Sequence, residues 1–435
     1  MDDFVKERTE NASFHNGDDS VYEGLTGSLL LRFFGAKQNN FTALQQRAPY
    51  ESDWEDILEI AERQNLAPLL FFYTRKHSLP SPIPEPIEYR LKLSYLRCMA
   101  KGMYLYPELS GILSHFNNSQ IPVIVLKGPH LAELVYRDRA LRPMSDIDLL
   151  VRKRDLKRAC DELYDLGYET SRQFSIEAET KLHPDLPAFH RGGKCIVELH
   201  WNLEMPTSPF RIDLEGVWER AQHVRIAEVD TLVLSNEDLL LHLCIHASYH
   251  HRFTFGLLPL VDIAETIMCH RERINWLKLQ MLSEEWGVGR CVYLTLYLAH
   301  ELLKADVPRQ FLRALEPADF TSDLVETALQ AIMRPSESSL PMTSNLSRLW
   351  GGDAFWRKVT VFLKSAFPSP EVLSTMCPVS SSSKRIYLYY PVRLKELLMR
   401  YGKTVVSLLK SDEAATAHRN RIEKGNELVN WLTSG

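Results

Sequence analysis

Two carboxylates stand two residues apart at an otherwise apolar stretch, in Arg142-Pro-Met-Ser-Asp-Ile-Asp-Leu-Leu-Val151. The apolar and β-branched residues at its end read as a buried strand. Alternate side chains of a strand share a face, so Asp146, Asp148 and Leu150 point one way and Ile147, Leu149 and Val151 the other. Carboxylates placed like this lie about 6–7 Å apart and repel each other unless a proton or cation intervenes, and a divalent metal is the natural solution. An Asp-x-Asp pattern alone suits a solvent-facing edge or a turn entry equally well. A third acid, Glu198, interrupts a second apolar run, Cys195-Ile-Val-Glu-Leu-His-Trp201. Three acids on neighbouring strands of one small sheet suit two magnesium ions.

The surrounding pattern predicts the elements that must hold these acids. Ile121 to Gly128, IPVIVLKG, is a β-branched run ended by glycine, and HLAELVYR after it is helical. The acid-bearing strand follows, then an amphipathic helix that closes at Gly167, with Leu156, Ala159, Cys160, Leu163 and Leu166 in one stripe. PAFHRGGKCIVELHWNL gives two strand-like arms around Gly192-Gly193, a hairpin. Strand, helix, strand, helix, hairpin describes a small mixed sheet domain over residues 119–235.

The rest of the chain reads as helical, which makes the whole an α+β protein. Residues 1–22 form a polar, disordered lead. Residues 23–118 form an N-terminal helical region. In it, Ile57, Ile60, Ala61 and Leu66 fall at helical spacing behind a cap at Ser52 or Asp53, and a long helix runs from Ile87 to Phe116. Ser235, with Asp238 three residues on, opens a C-terminal helical bundle over 236–365. A Pro- and Ser-rich linker, 366–384, leads to a basic amphipathic tail, 385–435. That tail reads as a docked helix with a solvated basic face, or as a surface for a membrane, a partner or RNA.

Composition bounds the function. At 435 residues, 45% hydrophobic and 25% charged, the chain buries a substantial core. Its net charge of -5 gives no global pull toward nucleic acid, so bulk nucleic-acid binding is the weaker option. Seven dispersed cysteines without a C-x-x-C pair suit a reducing cytosol and argue against a disulfide framework or a zinc ribbon. The acidic N-terminus lacks a signal-peptide core, and no apolar run of about 18 residues suggests a transmembrane segment, so a cytoplasmic protein is expected.

LKGPHLAELVYRDRALRPMSDIDLLV resembles the signature of a family of uncharacterised nucleotidyltransferases within the DNA polymerase beta-like superfamily. The likeness runs from LAPLLFF through VELHWNL to LLLHLCIHASYHH and LVDIAETI, over about residues 25–300. It implies a Mg2+-dependent enzyme that moves a nucleoside monophosphate from an NTP to an acceptor hydroxyl and releases pyrophosphate. The acceptor, a small molecule, a protein or peptide, or an RNA end, stays open. In that reading Asp146, Asp148 and Glu198 hold two Mg2+, and Glu198 also takes the hydroxyl proton. Lys127, Gly128 and Arg142 serve the phosphates, Gly128 by letting the backbone approach. The chain departs from the superfamily pattern at Gly128-Pro129, where Gly-Ser or Gly-Gly is usual; Pro129 lacks an N–H donor. The alternative implied by that departure is a member of the same fold that binds a nucleotide or partner without turnover.

His242, His246 and His250 recur at intervals of four and share a helix face, and His251 adjoins them. Three readings stay open: a zinc site with Asp262, a lining for the nucleotide cleft, or polar packing between helices. The resemblance marks His246 and Asp262 as characteristic positions. His200 and Trp201, just past Glu198, belong at the rim of the same sheet, where His200 lines the cleft and Trp201 packs or stacks on a base.

Overall fold

The computed structural model describes Leu31, Phe34, Phe367, Lys395 and residues 51–76, 82–192, 195–333, 383–391 and 413–434. The expected lead lies outside the described residues, as do most of the expected linker and much of the basic tail.

Among the described residues, the sheet is preceded by α1 (Glu51–Arg63), α2 (Ala67–Lys76) and α3 (Glu85–Asn118). The sequence predicted one helix across α1 and α2. The structure breaks it at Asn65, which takes a left-handed φ of 57°, and Pro68 sits in the first turn of α2, where its missing N–H costs nothing. The core then runs β1 (Val123–Val125), α4 (Lys127–His130), a π-helical turn (Leu131–Val135), β2 (Ile147–Val151) and α5 (Leu156–Asp165). It continues with β3 (Glu169–Thr170), α6 (Ile176–Leu182), β4 (Phe189–Arg191), β5 (Cys195–His200), α7 (Leu214–Arg220), β6 (Gln222–Ile226) and β7 (Val229–Val233). The C-terminal helices are α8 (Asn236–Ile245), with a π-helical turn (His246–His250), α9 (Leu258–Cys269), α10 (Trp276–Glu285), α11 (Gly289–Leu303), α12 (Arg309–Leu315), α13 (Ser322–Met333) and α14 (Glu413–Thr433).

Among the described residues, seven strands form one mixed sheet in the order β3-β4-β5-β2-β1-β7-β6. β2 pairs parallel with β5, β1 pairs parallel with β7, and the remaining neighbours are antiparallel. The predicted hairpin is β4–β5, with Gly192 at φ 59°. The β6–β7 hairpin carried no turn signal in the sequence, because Ala227 and Glu228 supply its two positive φ values in place of Asn-Gly.

The alternation read from Asp146 to Val151 holds. Ile147, Leu149 and Val151 join Val125, Val197 and Leu199 in a core closed by Leu109, Ile112 and Phe116 of α3 and Leu163 of α5. Leu150, on the opposite face, packs with Ile124, Leu126 and the C-terminal helices through Leu240, Cys244 and Val261. Burying such side chains stabilises by about 1.5–3 kcal/mol each, so both faces hold β2 rigidly in the sheet. The helix after β2 ends as expected: Gly167 takes φ 81°, and the amides of Gly167 and Tyr168 donate to the carbonyls of Tyr164 and Leu163.

Candidate active site

The strand register assembles the site. Asp148 lies directly opposite Glu198, and Leu150 opposite His200, so the alternate residues Glu198 and His200 share the face of Asp148. His200 Nε2 lies 3.0 Å from Asp148 Oδ1 and 3.6 Å from Glu198 Oε2. One ligand atom from each of the three falls within 4.8 Å of the others, a grouping with metal-ligand spacing among the described residues. On the other side, the Leu126 amide donates to the Asp148 carbonyl at 3.0 Å, which brings Lys127 out beside the same acid. Lys127 Nζ stands 3.3 Å from Asp148 Oδ1. Its backbone φ of 25° is costly for a residue with a Cβ, and such strain concentrates at functional positions.

Charge follows from this geometry. Asp148 is 4% exposed, and burial alone would raise its pKa. The Lys127 ammonium and the His200 hydrogen bond win, and hold the carboxyl well below the usual range. For His200, burial opposes protonation, but hydrogen bonds to Asp148 and Glu198 raise its pKa to about 9. Asp146 sits one residue before β2, and burial, then the charges of Asp148 and Glu198, raise its pKa. The acids predicted from sequence therefore share one neighbourhood, with two cations among them. Their oxygen donors suit a divalent ion.

Gly128 is buried, and a Cβ there would meet Met144 Sδ at 3.3 Å and Arg142 Nη1 at 3.5 Å. Arg142 is turned toward α9. Its Nη2 lies 3.0 Å from Asp262 Oδ2, its Nε bonds the same carboxylate, and its Nη1 donates to the Pro143 carbonyl. Tyr136 donates to Asp262 Oδ1 at 2.8 Å, so Asp262, 2% exposed, is fully engaged. Asp262 therefore stands with Arg142 and not with the histidine row.

The row itself steps along α8 and the following turn, with ring centroids 6.0 Å apart for His242 and His246 and 5.8 Å for His246 and His250. His250 Nε2 bonds Glu204 at 2.8 Å, and Glu204 leaves the sheet four residues after His200. His242 is buried, and its Nε2 has no hydrogen-bond partner among the described residues. Burial, then the Lys127 charge, holds both His242 and His246 well below the usual histidine range, so the inner end of the row lies within reach of the carboxylate site. Trp201 donates its indole N–H to the His183 carbonyl and lies under Lys153 Nζ at 4.4 Å.

Two neighbours had no sequence signal. Asp185 bridges to the backbone of His200, and burial raises its pKa. Tyr136 lay within a segment read only as helical.

An α+β sheet protein with a cluster of carboxylates on adjacent central strands is the class that the fold and site define. A family model described as uncharacterised nucleotidyltransferase matches residues 50–304, more than half of the chain, and the chain belongs to that family. Among solved structures, the antibiotic-resistance factor ANT(2'')-Ia is similar at 12% identity with a TM-score of 0.31, over 45% of this chain and 96% of that one. No curated protein matches. Among the described residues, no helix is long and apolar enough to cross a membrane.

Proposed function

We propose that this protein transfers a nucleoside monophosphate from an NTP to an acceptor hydroxyl and releases pyrophosphate. The observation that carries this reading is the placement of Asp148 opposite Glu198 on adjacent central strands, with Asp146 beside them. Asp146, Asp148 and Glu198 would hold two Mg2+ ions, which when bound neutralise the triphosphate and acidify the acceptor hydroxyl. Glu198, whose side chain is 34% exposed against 5% for Asp148, is placed to take the hydroxyl proton on a carboxylate oxygen. The acceptor oxygen then bonds to the α-phosphorus as the bond to the bridging oxygen breaks, and pyrophosphate leaves with that electron pair. Lys127 Nζ would move from Asp148 toward phosphate oxygens, and Arg142, fixed by Asp262, adds positive charge beneath the Gly128 turn. His246 would line the cleft beyond them. The substrates are an NTP and a small-molecule, protein or peptide acceptor, at a cytoplasmic location.

A second reading, nucleotide binding without turnover, draws on Pro129, which removes an amide donor, and on the close cover of Gly128 by Met144 and Arg142. Purified protein with each NTP, Mg2+ and a cell-extract metabolite pool separates the two. Pyrophosphate release that Asp148→Ala abolishes supports transfer. Mg-NTP binding with no release from any pool supports the second reading.

A further inference from the structure

We propose that His200 Nε2 is itself a metal ligand, so that this centre is a mixed nitrogen–oxygen site that takes a first-row transition ion, such as Mn2+, in preference to Mg2+. The inference rests on the nucleotidyltransferase reading only in expecting a divalent ion at these strands. A centre built of carboxylates suits Mg2+, a hard cation that favours oxygen ligands, whereas an imidazole nitrogen shifts the preference toward transition metals.

The geometry that points to His200 is the placement of its ring nitrogen against the acids. Its Nε2 is the ring atom turned into the cluster, 3.0 Å from Asp148 Oδ1 and 3.6 Å from Glu198 Oε2. The backbone behind it is held twice, by the parallel register with Leu150 on one side and by the bridge to Asp185 on the other. The imidazole is therefore fixed before any ion arrives, and the ion takes the place of the Nε2 proton, which is released to solvent. The side chain is only 12% exposed, so a nitrogen donor is presented inside a shielded, anion-rich pocket. A second observation also points to a ligand: the buried His242 Nε2 lacks a hydrogen-bond partner among the described residues, and the charges of Lys127, His250, His200 and Asp148 all act on it. A water or phosphate oxygen held by an ion at the cluster would give that nitrogen the hydrogen bond it lacks.

The test uses the full chain, stripped with chelator and loaded with Mn2+ alone. Pulsed electron paramagnetic resonance should show a directly bound 14N nucleus, replaced by 15N when the protein carries 15N-labelled histidine. This readout needs no variant. His200→Ala should remove the nitrogen signal, whereas His242→Ala should retain it. Calorimetry should find Mn2+ binding weaker in His200→Ala by at least about 10-fold, since even outer-shell partners of metal ligands cost about 10–100-fold in affinity, with a smaller change for Mg2+. Mn2+ bound through oxygen alone, a nitrogen signal that survives His200→Ala, or equal losses for both ions would overturn the proposal and leave the nucleotidyltransferase reading standing. Failure of the wild-type chain to bind any divalent ion, with or without an NTP, would overturn both.

Discussion

His200 on β5 and His242 on α8 are both shielded, and both lie near Lys127, yet they are driven in opposite directions. Burial opposes the charge on each. At His200 two carboxylates overcome it and raise the pKa to about 9; at His242 the buried Nε2 has no hydrogen-bond partner among the described residues, and the nearby cations reinforce burial. The difference shows that the anions of the sheet, not burial, define the charged centre. It also places a sharp boundary between an ion-paired, anion-rich cluster and the two inner histidines, His242 and His246, which burial holds neutral.

Removing the anion should erase the difference. Asp148→Asn leaves Lys127 and His200 without their shared carboxylate, so nucleotidyl transfer should fall to background. The same change should bring the His200 pKa down from about 9, read by NMR titration of its ring protons. An unchanged His200 titration would break the comparison.

The buried Arg142–Asp262 pair gives the largest stability effect. Asp262→Ala strands Arg142, whose side chain is 16% exposed, and breaking a buried ion pair from one side costs about 3–5 kcal/mol. Denaturant unfolding would measure it. Asp262→Asn, which retains the Tyr136 contact, should cost less.

The histidines also set opposite pH trends, measured as unfolding free energy with chelator present. His200 has a raised folded pKa, so its contribution is complete below about pH 6.5 and is lost as pH rises through about 9. His242, His246 and His251 have lowered folded pKa values, so the unfolded chain binds more protons than the folded one below about pH 6.5. Stability should therefore rise from acid toward neutrality and decline again toward pH 9. His200→Gln should remove the alkaline decline and leave the acid limb.

The smallest effect tests the frame that carries the row. Ser235 caps α8 by accepting from the Asp238 amide, and Ser235→Ala should cost about 1 kcal/mol of thermal or denaturant stability without moving either histidine titration.

Much of this frame was legible in the residues. The period-two pattern of Asp146 to Val151 correctly divided the strand's faces, Gly192 marked the hairpin, and Ser235 marked the start of α8. Local pattern could not reveal what depends on contact across the chain. The bond between His200 and Asp148 follows from the parallel register of β2 with β5, and the Arg142–Asp262 pair joins residues 120 positions apart. Arg142 and Asp262 were read separately, one for phosphate and one beside the histidines. The β6–β7 hairpin was hidden for a different reason, since its turn residues, Ala227 and Glu228, are poor signals for positive φ.

The most direct test of the central claim follows the phosphate label. Protein incubated with divalent metal, a metabolite extract and an NTP labelled at either the α- or the γ-phosphate should move α label onto an acceptor and release γ label as pyrophosphate. Asp148→Asn should do neither. Transfer of γ label to the acceptor, or bound NTP with no label moved in any extract, would contradict the account.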